Sequence, residues 1–133
     1  MTRAVDDLTR RLRTTFHRWN EVDTWSAGQL AEKIRGDGID ILVDLSGHAE
    51  GHRLGVFALR PAPLQITGWG HPHGTALAQM DFVAADSRHL HAGELAPGAE
   101  RHLNIPATLG YLPFQPLPPV GRLPALTRGF LTF

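Results

Sequence analysis

The chain contains no cysteine. That excludes disulfides, thiolate-bound zinc, iron–sulfur clusters and thiol nucleophiles. It has one lysine, Lys33, against twelve arginines, a bias that codon usage explains without a functional reason. It has no net charge, because 13 Lys+Arg balance 13 Asp+Glu. No long-range field therefore gathers nucleic acid or an anionic membrane surface. No apolar run approaches the roughly 20 residues that span a bilayer. Asp6, Asp7, Arg10 and Arg11 near the start have no apolar block behind them, so that end is not a secretory signal. These absences fit a cytoplasmic home. What remains is ordinary: 133 residues, 42% hydrophobic and 20% charged, the size and composition of about one globular domain. The exception is histidine. Six of the eight fall between His48 and His91.

Val5, Leu8, Leu12, Phe16 and Trp19 recur at helical spacing and predict an amphipathic helix. The arginines between them read as its solvated face rather than a binding surface. A second helix starts at Ser26, with Gln29 three residues on as a capping box, and closes at Gly36. Ile39 to Leu45 is a near-continuous apolar strand of the kind buried on both faces of a parallel sheet. Arg53 to Leu59 predicts a short helix that Pro61 closes. Leu64–Thr67, Asp81–Ala85 and Arg101–Ile105 read as further strands, with a helical turn over Ala76–Met80. Strands alternating with short helices predict an α/β fold with a mostly parallel sheet. Six of the ten prolines lie between Pro106 and Pro124, so Tyr111 to Pro124 reads as an extended connector. Gly129 to Phe133 looks like the start of another apolar strand, and the chain reads as a piece of something longer. The expected division is a partial lobe over 1–110, followed by a connector and the first strand of a second lobe over 111–133.

In open α/β sheets, ligands bind outside the carboxyl ends of the strands. That rule selects Ser46-Gly47-His48, the run Gly68 to Thr75, and Asp86-Ser87. Glycine allows close approach of backbone to ligand, and histidine can move protons near neutral pH. Other chemistries fit less well. His48, Glu50 and His52 lack helical His-Glu-x-x-His spacing, and histidines two apart, as at His71/His73 and His89/His91, point to opposite sides of an extended strand. Loop histidines that meet polar substrate or water are the better reading than a metal site. Ser46 lacks a nucleophile elbow. Gly68-x-Gly70 leads into Pro72 and not into a helix, which argues against a dinucleotide fingerprint.

The run Asp37-Gly38-Ile39-Asp40-Ile41-Leu42-Val43-Asp44-Leu45-Ser46-Gly47-His48 resembles the protein O-GlcNAc transferase family, with its SPINDLY-like and bacterial TPR-linked members. Arg53-Leu54-x-Val56-Phe57-Ala58-x-Arg60-Pro61-Ala62-Pro63-Leu64-Gln65-Ile66-Thr67 continues the likeness. So do Trp69-Gly70-His71-Pro72, Gly74-Thr75 and Met80-Asp81-Phe82, in order. The likeness covers roughly Trp25 to the end and is weak from Arg88 to Glu100. The Arg60-Pro61-Ala62-Pro63 block is its most specific part.

The resemblance implies one Rossmann-like lobe of a two-lobed GT-B glycosyltransferase. Such enzymes move N-acetylglucosamine from UDP-GlcNAc, the donor substrate, to Ser or Thr of an acceptor protein, with neither metal nor cofactor. Related members move fucose. On this reading His48 and His71 are the groups nearest the chemistry, and Arg53, Trp69, Gly70, Pro72 and Thr75 shape the donor and acceptor site. Arg60 is expected to form an ion pair or end a helix, Pro61 and Pro63 are architectural, and Trp69 reads as a packed loop anchor, with a platform for the sugar as the alternative. The implied partners are the nucleotide sugar, an acceptor protein, the second catalytic lobe and a TPR region, with no nucleic acid or membrane. Both walls of the cleft are needed for transfer, so the lobe alone is expected to be inactive. The competing expectation is a non-enzymatic remnant or interaction module that keeps the fold without the chemistry.

Overall fold

The computed structural model describes residues 5–69, 73–91, 94–95, 100–106 and 119–131. Its elements are α1 (Asp7–Thr15), α2 (Ala27–Gly36), β1 (Ile41–Asp44), α3 (Leu54–Ala58), β2 (Leu64–Gly68), β3 (Phe82–Ala85), β4 (Arg101–Asn104) and α4 (Pro124–Arg128). The four strands form one sheet in the order β1-β2-β3-β4, and every neighbouring pair is parallel. The expected α/β class and parallel sheet are therefore present.

Local chemistry explains where the helices begin. Asp6 caps α1 through Thr9. In α2 both arms of the capping box form: the Ser26 hydroxyl accepts from the Gln29 N–H at 3.2 Å, and Gln29 Oε1 accepts from the Ser26 N–H at 2.9 Å. Reciprocal capping of this kind satisfies two donors that the helix cannot.

Register sorts the sheet into two unlike faces. Leu42 pairs with Gln65, and Asp44 with Thr67, which pairs in turn with Val83, so these side chains share one face. α2 and α3 cover it. Ala31, Ile34, Leu54, Val56, Phe57 and Met80 form the main cluster there, with Leu42 and Leu77 packed against it. Val83, Ala85 and Leu90 form a second cluster under β3. The other face carries Ile41, Val43, Leu64, Ile66 and Phe82. Among the described residues it is open at the β1 end, where Ile41 is 54% and Val43 44% exposed. The expectation that β1 is buried on both faces is thus corrected. Among the described residues β1 is an edge strand with one covered face.

Three further expectations change. α1 ends at Thr15, and the extended Phe16 that follows takes Phe16 and Trp19 off the helix. The stripe Val5, Leu8, Leu12, Phe16 and Trp19 is exposed throughout. The stretch 76–80 is an irregular crossover, turned only at 78–79, and Ala76 has φ +59°. Near the end, Pro124–Arg128 is a helical turn and no strand forms over 129–131. Pro at the first helical position presets φ, and Gly129 at φ +74° closes the turn. Residues 132–133, the rest of the expected strand, lie outside the described residues.

The Arg60-Pro61-Ala62-Pro63 block lies at the amino edge of the sheet, before β2. Arg60 donates to both Asp81 oxygens, at 2.9 and 3.1 Å, and to the carbonyls of Gln79 and Pro63. The ion pair expected for Arg60 is formed. This highly specific motif is therefore scaffold, at the end of the sheet opposite the carboxyl edge.

Candidate functional site

Because β1 and β2 are adjacent and parallel, with Asp44 opposite Thr67, the segments that follow them leave the sheet side by side. Leu45–His48 and Gly68–Trp69 share one carboxyl edge. This is the juxtaposition that a cleft at that edge needs.

The turn after β1 is organised by Asp44, the last residue of the strand. Its carboxylate is 5% exposed. Oδ1 accepts the Ser46 N–H at 3.1 Å, and Oδ2 accepts the Gly47 N–H at 2.9 Å and the Thr67 hydroxyl at 2.8 Å. Gly47 has φ +52°, a conformation that costs glycine little. Ala49 then donates to the Ser46 carbonyl, and His52 to the Ala49 carbonyl, each at 3.0 Å. These two turns present His48 on the exposed surface. The His48 and His52 rings meet edge to face, with centroids 6.3 Å apart. His52 Nδ1 accepts the Leu54 N–H at 3.3 Å. It thus caps α3, a service that Arg53 does not perform.

Arg53, expected to help shape the donor and acceptor site, is hydrogen-bonded to backbone. Its guanidinium donates to the carbonyls of Val22, Asp23 and Trp25 at 2.7, 2.9 and 2.9 Å. It ties α3 to the segment that leads into α2. We expect Arg53→Met to lower the unfolding free energy by about 1–2 kcal/mol, since charged donors to carbonyls are worth that order when partly wet. The urea midpoint should fall with m unchanged. Beside this tie a groove of about 260 Å³ opens between α2, α3 and the end of β1, lined by Leu30, Ile34, Leu42, Asp44, Ser46 and Arg53 among others.

Trp69 is not the packed anchor expected. It is 53% exposed, with φ +62°, which leaves its indole available at the edge. Gly70, His71 and Pro72 lie outside the described residues. Thr75 is buried. Its N–H donates to Glu100 Oε1 at 2.6 Å, and its hydroxyl donates to the same oxygen. The Thr75 hydroxyl is thus hydrogen-bonded within the fold. At the end of β3, Asp86 Oδ1 accepts the Arg88 N–H at 2.9 Å, and Ser87 N–H donates to Asn104 Oδ1 at 3.0 Å. His91 pairs with Glu94, whose carboxyl is held below its usual range by the His91 N–H. Among the described residues no group of three His, Cys, Asp or Glu is placed to hold a metal ion, and no helix is long and apolar enough to cross a membrane.

Two polar residues here escaped the sequence reading. Asp44 stood only within the expected strand and the family-like run, though an Asp two residues before Ser46-Gly47 carries the signal of a side chain that folds back onto the amide two residues on. Glu100 gave no signal, since its partner lies 25 residues away.

A parallel α/β sheet with flanking helices, and with histidine- and tryptophan-bearing loops at one carboxyl edge, is of the Rossmann-like type. The chain belongs to glycosyl transferase family 41, whose model matches residues 12–96. The match begins earlier than Trp25, where the resemblance becomes legible by eye. Among curated relatives, the probable UDP-N-acetylglucosamine–peptide N-acetylglucosaminyltransferase SPINDLY of Eustoma exaltatum subsp. russellianum is 36% identical over 116 residues, which is 86% of this chain and 13% of that protein. The UDP-N-acetylglucosamine–peptide N-acetylglucosaminyltransferase of Caenorhabditis elegans is 43% identical over 60 residues, 45% of this chain and 5% of that protein. Among solved structures, a mutant of the Thermobaculum terrenum O-GlcNAc transferase superposes with a TM-score of 0.64 at 41% identity, covering 74% of this chain and 19% of that one. The chain thus spans about an eighth of the length of the SPINDLY relatives it matches.

Proposed function

We propose that this chain forms part of the first catalytic lobe of a glycosyltransferase that moves N-acetylglucosamine from UDP-GlcNAc to Ser or Thr of an acceptor protein. Family membership and the names of the relatives support the reaction class. The single structural observation that carries the reading is the parallel pairing of β1 with β2, which sends the His48 turn and Trp69 out at one edge. Transfer requires the acceptor hydroxyl to lose a proton as charge of oxocarbenium type builds at the anomeric carbon. An exposed imidazole at that edge is suited to accept or orient such a proton, and His48 is assigned that place. His71 is assigned the same region from its position three residues after Gly68. Trp69 offers an apolar face to the sugar ring. The leaving diphosphate needs cations or backbone N–H groups, a task assigned to the second lobe that the family likeness implies.

The test places residues 12–106 in the frame of the Thermobaculum terrenum relative. Transfer to an acceptor peptide should persist. His48→Ala should lower kcat/KM by about 100-fold or more, the usual contribution of a positioned acid–base group. The 133-residue chain alone should give no turnover. Unchanged kcat/KM in the His48→Ala chimaera would remove His48 from the chemistry.

A further inference from the structure

We propose that Asp44 is a positioning residue of this site: its buried carboxylate sets the shape of the Ser46-Gly47-His48 turn and locks that turn to β2. The inference rests on the glycosyltransferase reading for its functional meaning, and on geometry alone for its structural content. Three donors converge on one carboxylate. Two are the successive N–H groups of Ser46 and Gly47, and the third is the hydroxyl of Thr67 on the neighbouring strand. Asp44 is also the last residue of β1, hence the last point of rigid sheet before His48. Its side chain lies on the covered face of the sheet with Thr67, and both its oxygens are engaged by the turn and by Thr67. It acts through the turn.

The chemistry asks for a carboxylate at this position. Oδ1 serves one donor and Oδ2 serves two, with no donor function on Asp44 itself. Asparagine has one acceptor oxygen and one NH2 group. It can serve either the Ser46 arm or the Gly47–Thr67 arm, and its NH2 then faces donors on the other side. Glutamate adds a methylene and carries the carboxylate past the amides of its own turn. Thr67→Val is different, because it removes the tie between strands and leaves both turn amides with their acceptors. The two arms can thus be cut separately: Asp44→Asn disturbs the shape of the turn, and Thr67→Val disturbs its register against β2.

The experiment uses the full 133-residue chain, labelled with 15N, without donor or acceptor. In Asp44→Asn, hydrogen exchange at the Ser46 or Gly47 amide should quicken by about tenfold, the factor that one hydrogen bond of this kind represents. The His48 ring and amide chemical shifts should move with it. The amides of Val83 and Leu103 should keep their protection. Thr67→Val should leave the Ser46 amide protected yet displace the His48 chemical shifts, and Thr67→Ser, which keeps the hydroxyl, should restore them. A folded Asp44→Asn chain with native exchange at both turn amides and native His48 chemical shifts would overturn the proposal. If Asp44→Asn does not fold, the Thr67 pair decides: equal His48 chemical shifts in Thr67→Val and Thr67→Ser would overturn the lock to β2. Failure of the sugar-transfer reading shows elsewhere, as a chimaera of unaltered residues 12–106 that transfers no sugar, and leaves these spectra as they are.

Discussion

Asp81→Ala should be among the most destabilising single changes in this chain, lowering the unfolding free energy by about 3 kcal/mol. Asp81 stands immediately before β3, and three elements meet at its carboxylate. Oδ2 accepts the Gln65 N–H at 2.8 Å, while both oxygens accept from Arg60. The Asp81 N–H in turn donates to the Gln65 carbonyl at 2.9 Å. Around this pair, Gln65 is fully buried, and its side-chain NH2 donates to the carbonyls of Phe57 and Gln79 at 3.0 and 2.8 Å. The Arg60 side chain is 42% exposed, so water screens the ion pair and its own share is modest. The larger part comes from the Gln65 N–H, which alanine leaves without an acceptor at the start of β2, and from loss of the link between the amino ends of two strands. Asp81→Asn keeps one acceptor oxygen and should cost about 1 kcal/mol. For a chain of this size the alanine change corresponds to roughly 10 °C in Tm. An alanine variant within about 0.5 kcal/mol of native by urea unfolding would show that the network contributes nothing.

The same carboxylate gives the fold an acid sensitivity of definite sign. Burial alone would raise the Asp81 pKa, but the Arg60 hydrogen bond, the Gln65 N–H and the charges of Arg60 and Arg101 outweigh it and hold it below the ordinary 3.8. The folded chain therefore keeps Asp81 ionised at a pH where the unfolded chain protonates it. That stability is complete above the unfolded value and is lost as pH falls below it, through the depressed folded value. Unfolding curves measured between about pH 6 and pH 3 should show the native protein losing stability at the acid end faster than Asp81→Asn does.

How much of this was legible in the sequence depended on range. The α2 capping box was, because Ser26 and Gln29 are three apart and the motif is local. The parallel sense of the strands was, because alternation with helices leaves few topologies. The covered face of β1 was not. An apolar run reads the same whether one or both faces are buried, and only the register to β2 shows that Leu42 is covered while Ile41 and Val43 are not. The task of Arg53 was hidden for a similar reason, since its acceptors are backbone carbonyls 28 to 31 residues away, which no residue type announces. In the candidate site, the glycines and His48 were visible as loop chemistry. Asp44, which shapes the loop, looked like an ordinary flanking acid.

Glu100→Ala should match Asp81→Ala in size, at about 3 kcal/mol, through a different mechanism. Glu100 is 3% exposed, directly ahead of β4. Oε1 takes both the N–H and the hydroxyl of Thr75, whereas Oε2 is buried without a hydrogen-bond partner. Gly74 makes that approach feasible. It has φ +80°, and a Cβ there would lie 2.7 Å from Oε2, so both its backbone and its missing side chain are needed. Alanine at 100 would leave a buried Thr75 N–H and hydroxyl unpaired and open a void beside Gly74. Glutamine keeps the acceptor oxygen and the volume. Since Oε2 has no donor to lose, Glu100→Gln should fall within about 1 kcal/mol of native. A double-mutant cycle with Thr75→Val should show strong coupling, because most of the alanine cost is the stranded Thr75 donors. Additive losses in that cycle would place the cost of Glu100→Ala in the void and not in the hydrogen bonds. That outcome would leave residues 73–77 held by Gly74 geometry and by Leu77 packing against the main cluster.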